Sequence, residues 1–166
     1  MEFSTVTVGG HPAPHETDLA AFIGFVMRLA VQTQAASGDI VDRCLMAHAL
    51  GQGKLYFNGY GQCVGYVLWA HLAPAVEQRV IETGNIRLHT SEWSEGGEAW
   101  IVDLVVPFGS LKYVLDDLRD GVFRDAPQVT YLRHKNGKTI PKRIARNTRS
   151  HFFSRRGHTA LLGGDH

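Results

Sequence analysis

The sequence predicts a mixed α/β domain of the α+β class, a twisted and mostly antiparallel sheet flanked by helices. Three observations lead there. Two apolar runs of strand length stand out, Cys63–Leu72 (CVGYVLWAHL) and Ala99–Gly109 (AWIVDLVVPFG). Two amphipathic helical patterns precede the first run. After it, short strand and helix patterns interleave, with a long central strand followed by a return helix.

In chain order, Met1–His15 reads as a mobile arm, because Gly9, Gly10, Pro12 and Pro14 interrupt any regular pattern. A helix is predicted from Glu16 to Ala36. Leu19, Phe22, Ile23, Val26, Leu29 and Ala30 share one face, and Glu16, Thr17 and Asp18 suit its first turn. Ser37–Gly38 is expected to break it. Asp39 can cap a second helix over Ile40–Leu50, whose apolar face is Ile40, Val41, Cys44, Leu45 and Ala47. Lys54–Asn58 and Cys63–His71 read as a hairpin across Gly59–Gln62.

Pro74 opens a short helix that ends near Gly84, with proline at the favoured first turn. Ile86–His89 reads as a short strand, and the polar Ser91–Glu98 as a loop. Ala99–Val106 is the central strand. Ser110 caps a helix to about Leu118. Val129–Arg133 is a strand, Asn136–Gly137 a tight turn, and Ile140–Phe153 a basic segment of partly helical pattern. The expected organisation is an arm over 1–15, one domain over 16–156 and a flexible tail over 157–166.

The 166 residues suffice for one domain with a real core, and an apolar fraction of 44% with 20% charged residues is ordinary for a globular chain. No apolar stretch approaches the roughly 18 residues of a membrane span. The N-terminus has neither the basic nor the apolar region of a secretory signal. Cys44 and Cys63 lack metal or redox spacing and read as free thiols of a cytoplasmic protein. No zinc-site or other metal-ligand spacing is present; His15-Glu16, for instance, has no second histidine at metalloprotease distance.

The net charge of +1 conceals an asymmetry. From Thr130 to Arg156 there are nine Lys or Arg residues and no Asp or Glu. A segment of one sign fits either an acidic partner or a solvated basic face. Nucleic acid ranks second among such partners, since aromatic interleaving is sparse and the sequence pI is only about 7.9.

One carboxylate, Asp103, sits in the middle of the central apolar strand. Aspartate is depleted in strands, and burying an unpaired charge is costly. Asp103 therefore needs a partner, a raised proton affinity or a catalytic role.

Gly65–Leu72 (GYVLWAHL) resembles the "AYCSWANL" strand of the RTX toxin-activating lysine acyltransferases, the hemolysin-activating protein family. Glu92-Trp93 followed by Gly96 or Gly97 resembles that family's "DWxSG" loop, and Trp100–Gly109 (WIVDLVVPFG) resembles its "WxIDWIAPFG" signature. The blocks occur in the family's order and spacing, within a weaker resemblance over roughly 25–156.

The resemblance implies a cytoplasmic enzyme with a fold like that of the Gcn5-related N-acetyltransferases. Such an enzyme moves a fatty acyl group from acyl carrier protein to a lysine ε-amine of an RTX-type protoxin. The phosphopantetheine thioester is then a co-substrate, with no tightly bound cofactor, and a homodimer is plausible by family habit. The chain has no clear Arg/Gln-x-x-Gly-x-Gly/Ala pyrophosphate loop, which favours the carrier protein over coenzyme A as donor.

The family pairs the aspartate matching Asp103 with a histidine. That position falls here at about Gln34 or Ala35, and no histidine occurs from Asp18 to Ala47. Candidate catalytic residues are thus Asp103, with His71 or Gln34 as substitutes for the histidine. Ser37 could help Gln34 hold a water, and His48 qualifies only if the fold brings it to Asp103. Arg133, Lys135, Lys138, Lys142 and Arg143, together with Arg146, are the candidates for contacts with the carrier protein. Two other readings stay open: a catalytically impaired carrier-binding or substrate-binding module of the same fold, and an acyltransferase for a small amine.

Overall fold

In a computed structural model of the chain, residues 4–8, 20, 22–27, 37–106 and 109–146 are described. The strands are β1 (Ser4–Val8), β2 (Gly53–Phe57), β3 (Cys63–Leu72), β4 (Glu98–Val105), β5 (Gln128–Lys135) and β6 (Lys138–Ala145). The helices are α1 (Ser37–Leu50), α2 (Pro74–Thr83) and α3 (Leu111–Asp117), and residues 22–27 are also helical. Strand order follows the chain, β1-β2-β3-β4-β5-β6. The pairs β1–β2, β2–β3 and β5–β6 are antiparallel, and β4–β5 is parallel. This is the α+β class that the sequence predicts.

The chain forms two compact units. One holds Met1–Trp69 with Asp103–Val105, and the other Ala70–Val102 with Val106–His166. In the first, α1 covers the sheet with Ile40, Cys44 and Ala47, spaced three and four apart on one helix face. Phe22 and Val26, four apart on the helical segment, are also buried in this unit. Both faces of β2 are buried, and a Cβ on Gly53 would make ordinary contacts with Leu68 and with Ala47 of α1, which places α1 directly over this strand. In the second unit, Trp93, Trp100, Leu72, Val80, Leu118 and Phe123 are buried.

Four expectations need correction. Ser4–Val8, inside the presumed arm, pairs with β2 from Ser4↔Phe57 to Val8↔Gly53; its Thr/Val alternation suits a strand. The second helix starts at Ser37 and not at Ile40, so Asp39 lies in the first turn of α1 and does not cap it from outside; the end of the preceding helix lies outside the described residues. The first-turn N–H groups have no helical partner in any case, so serine and glycine cost little there, and Asp39 complements the helix dipole.

Ile86–His89 is irregular, not a strand. Side chains occupy the backbone groups that a ladder would use: Arg79 donates to the Arg87 carbonyl at 3.1 Å and Glu92 accepts from the His89 N–H at 2.8 Å. A 3₁₀ turn, Thr90–Trp93, follows.

Finally, the start of the basic segment is β6 and not helix. Asn136 and Gly137 both take positive φ (51° and 71°), the requirement of a two-residue hairpin turn, and that turn reverses β5 onto β6. Pro141 and the exposed charges suit a strand with one partner only. The remainder of that segment, from 147 onward, lies outside the described residues.

Candidate active site

Asp103 lies near the end of β4, half-buried. Both of its carboxylate oxygens accept hydrogen bonds. The Tyr66 hydroxyl donates to Oδ2 at 2.9 Å, and the Leu104 backbone N–H donates to Oδ1 at 2.9 Å. Tyr66 comes from β3, where its side chain is 1% exposed. Two aromatic edges from the helical segment hold its ring: Phe22, with centroids 5.3 Å apart at 67°, and Phe25, at 6.1 Å and 82°.

From α1, Cys44 and Arg43 lie within electrostatic reach of this pair. Burial, reinforced by the negative charge of Asp103, pushes the Cys44 thiol up to about 12. Burial and then the Asp103 charge push the Tyr66 phenol well above its ordinary range, with Arg43 opposing weakly. Both groups are therefore protonated near neutrality. Cys44 is a thiol and no acyl-accepting nucleophile, and Tyr66 is a standing donor. A carboxylate has about four lone-pair positions, so two donors leave Asp103 room to accept a further proton.

The other sequence candidates are distributed as follows. His71 lies on β3, five residues beyond Tyr66, an odd step on an element whose side chains alternate between faces. Its carbonyl accepts from the Gly96 N–H at 2.9 Å, and burial lowers its imidazole below the ordinary histidine range. His48 sits one turn beyond Cys44, with Nδ1 buried and without a hydrogen-bond partner. Gln34 lies outside the described residues.

The β5–β6 register sorts the cations. Tyr131↔Lys142, Arg133↔Ile140 and Lys135↔Lys138 are directly opposed pairs on one face, which therefore presents Arg133, Lys135, Lys138 and Lys142 around the exposed Ile140. Arg143, opposite Thr130, is on the other face and bonds Glu77 of α2 at 2.7 Å. Arg146 holds the Phe123 and Ala126 carbonyls.

The remaining motif residues do structural work. Trp100 is fully buried and its indole N–H donates to Glu77 at 3.2 Å, fastening β4 to α2. Trp93 is buried, and Glu92 forms a two-pronged ion pair with Arg79. The glycine that matters in this loop is Gly96. A Cβ there would stand 1.7 Å from the Leu72 carbonyl oxygen, whereas one on Gly97 would meet nothing.

Sequence reasoning missed Tyr66 as the partner of Asp103. The available signal was that a tyrosine in a run buried on both faces needs somewhere to send its O–H, and a buried carboxylate needs a donor. Among the described residues no helix is long and apolar enough to cross a membrane.

The chain matches the RTX toxin acyltransferase family over residues 16–148. It is 28% identical over 105 residues to the lysine-acyltransferase RtxC of Vibrio cholerae, covering 61% of this chain and 68% of that protein. It is 27% identical over 95 residues to an uncharacterized protein of Synechocystis, covering 52% of this chain and 64% of that one. The family match takes in β2 to β6 with the whole of the Asp103 site, and the chain belongs to the RTX toxin acyltransferase family.

Proposed function

We propose that the protein transfers a fatty acyl group from acyl carrier protein to a lysine ε-amine of an RTX-type protoxin, in the cytoplasm, with Asp103 as the proton acceptor. The observation that carries this reading is the Asp103 carboxylate, held at both oxygens within the family signature strand.

In the reaction the lysine ammonium first gives up a proton. The free amine then attacks the thioester carbonyl, the C–S bond breaks, and the thiolate leaves. A second N–H proton must be removed as the amide forms. Asp103 accepts that proton and returns it to the leaving thiolate, so the carboxylate is regenerated each cycle. The cationic face of the β5–β6 hairpin, through Arg133, Lys135, Lys138 and Lys142, fits the acidic surface of a carrier protein. Arg143, bonded to Glu77 on the opposite face, is assigned to α2 instead. His71, an odd step from Tyr66 along β3, is given no part in this proton transfer.

The test is intact-mass analysis of a lysine-containing acceptor segment after mixing with this protein and acyl-loaded carrier protein. Wild type adds one acyl mass, and Asp103→Asn slows the addition by roughly 100-fold or more, the usual worth of a positioned acid–base group. Full transfer by Asp103→Asn would remove Asp103 from the mechanism. A second reading, a carrier-binding module without turnover, draws on the absence of histidine from Asp18 to Ala47. Carrier binding with no transfer by wild type would establish it.

A further inference from the structure

The two hydrogen bonds on Asp103 differ in kind. The Leu104 N–H is the next amide along the chain, a local bond to Oδ1. The Tyr66 hydroxyl reaches Oδ2 from a residue 37 positions away on β3. The last torsion of an aspartate is soft and roughly two-fold, so one local donor leaves the carboxylate free to swing. A second donor on the other oxygen fixes the plane.

Tyr66 is well suited to be that second donor. Its ring is 1% exposed and is gripped by the edges of Phe22 and Phe25. Its phenol keeps its proton, because burial and the neighbouring carboxylate charge both oppose ionisation, so it can donate but cannot serve as the base. Among the described residues, the titratable and charged groups that act on the pair are Cys44, a thiol, and Arg43, both on α1, and neither competes for the proton that Tyr66 donates.

We propose that Tyr66 is a positioning residue for acyl transfer, its hydroxyl fixing the Asp103 carboxylate so that an unoccupied lone pair faces the attacking amine. This rests on the reading of Asp103 as proton acceptor. Tyr66 touches neither substrate nor thioester in this role; it acts through Asp103 alone.

The test is Tyr66→Phe, which keeps the ring and its contacts with Phe22 and Phe25 and removes only the hydroxyl. The expected result is a kcat lowered roughly 10- to 100-fold, the kinetic equivalent of one hydrogen bond to a charged group. KM for the acyl carrier protein stays within about twofold, since a positioning effect is expressed in the transition state. In an Asp103→Asn background, Tyr66→Phe causes no further loss, a non-additivity that a purely structural role would not produce.

Two outcomes overturn the proposal separately. If Asp103→Asn abolishes transfer but Tyr66→Phe keeps kcat within twofold, Tyr66 is not a positioning residue and the Asp103 reading stands. If Asp103→Asn transfers at the wild-type rate, both fall. Should Tyr66→Phe fail to fold, the wild-type protein decides by NMR. A slowly exchanging Tyr66 hydroxyl proton that is lost in Asp103→Asn supports the proposal, and a freely exchanging one overturns it.

Discussion

Replacing Gly96 by alanine tests how the loop after the 3₁₀ turn is built. A Cβ at this position would lie 1.7 Å from the Leu72 carbonyl oxygen, 2.0 Å from its carbon and 2.4 Å from the Ala73 nitrogen. All three neighbours are backbone, so no side chain can swing away. A normal carbon–oxygen contact is about 3.3 Å or more, so the loop and the end of β3 must separate by roughly 1.5 Å. That displacement breaks the 2.9 Å bond from Gly96 N–H to the His71 carbonyl and loosens the bridge between His71 and Ser94.

Overpacking of this kind costs about 1–3 kcal/mol, and the lost hydrogen bond adds about 1 kcal/mol. A total near 3 kcal/mol lowers the Tm of a domain this size by roughly 10 °C. Gly97→Ala is the matched control: nothing lies within 4 Å of its Cβ, and it shifts Tm by no more than about 2 °C. Thermal unfolding followed by circular dichroism reads both. A Gly96→Ala protein that melts within 2 °C of wild type would refute the close approach of loop and strand.

Two further outcomes follow from named contacts. Reversing two charges on the hairpin face, Arg133→Glu with Lys142→Glu, raises the Kd for acyl carrier protein at least about tenfold at low salt, and the effect shrinks at 0.5 M salt; calorimetric titration measures it. Arg143→Gln leaves that Kd within about twofold, because Arg143 is on the other face with Glu77; equal losses in the two variants would deny any sorting by register. The second outcome concerns acid. Arg79 holds the Glu92 carboxyl down to about 2, from an ordinary value of 4.5. A depressed carboxyl contributes stability above the unfolded value that disappears as pH falls through the folded one. Urea midpoints of wild type therefore drop between about pH 4.5 and 2 more steeply than those of Glu92→Gln, and parallel profiles would count against the ion pair.

Much of the fold was legible in the sequence because local chemistry and tertiary packing agree. Asn136-Gly137 announces its hairpin, Pro74 its helix, and the runs around Val67 and Ile101 their buried strands. The failures are places where a tertiary partner outweighs a local pattern. Ser4–Val8 is a strand because β2 offers it an edge. The pattern from Ile140 onward reads as partly helical, but the preceding turn feeds the chain back along β5. At the site, Asp103 was conspicuous as a charge among apolar residues. Tyr66 was not, since an amphipathic aromatic in an apolar run looks like core until its hydroxyl is traced.

The division of labour within the signature strand bears on the proposed role of Asp103, since the sequence has no histidine from Asp18 to Ala47. Trp100 serves Glu77 and the packing of α2, and Gly109, with φ 79°, serves the turn that follows. Asp103 is the residue of this strand to which the proposal gives the chemistry. Among the described residues, the ionisable groups that act on the Tyr66–Asp103 pair are Cys44 and Arg43. Cys44 is a neutral thiol, Tyr66 a neutral phenol and Arg43 a permanent cation, so none of them removes a proton from an amine near neutrality. Among these described groups the Asp103 carboxylate is the anionic acceptor, which is what the proposal asks of it. A carboxylate that is itself the acceptor needs its own orientation fixed, and the bond from Tyr66 supplies it.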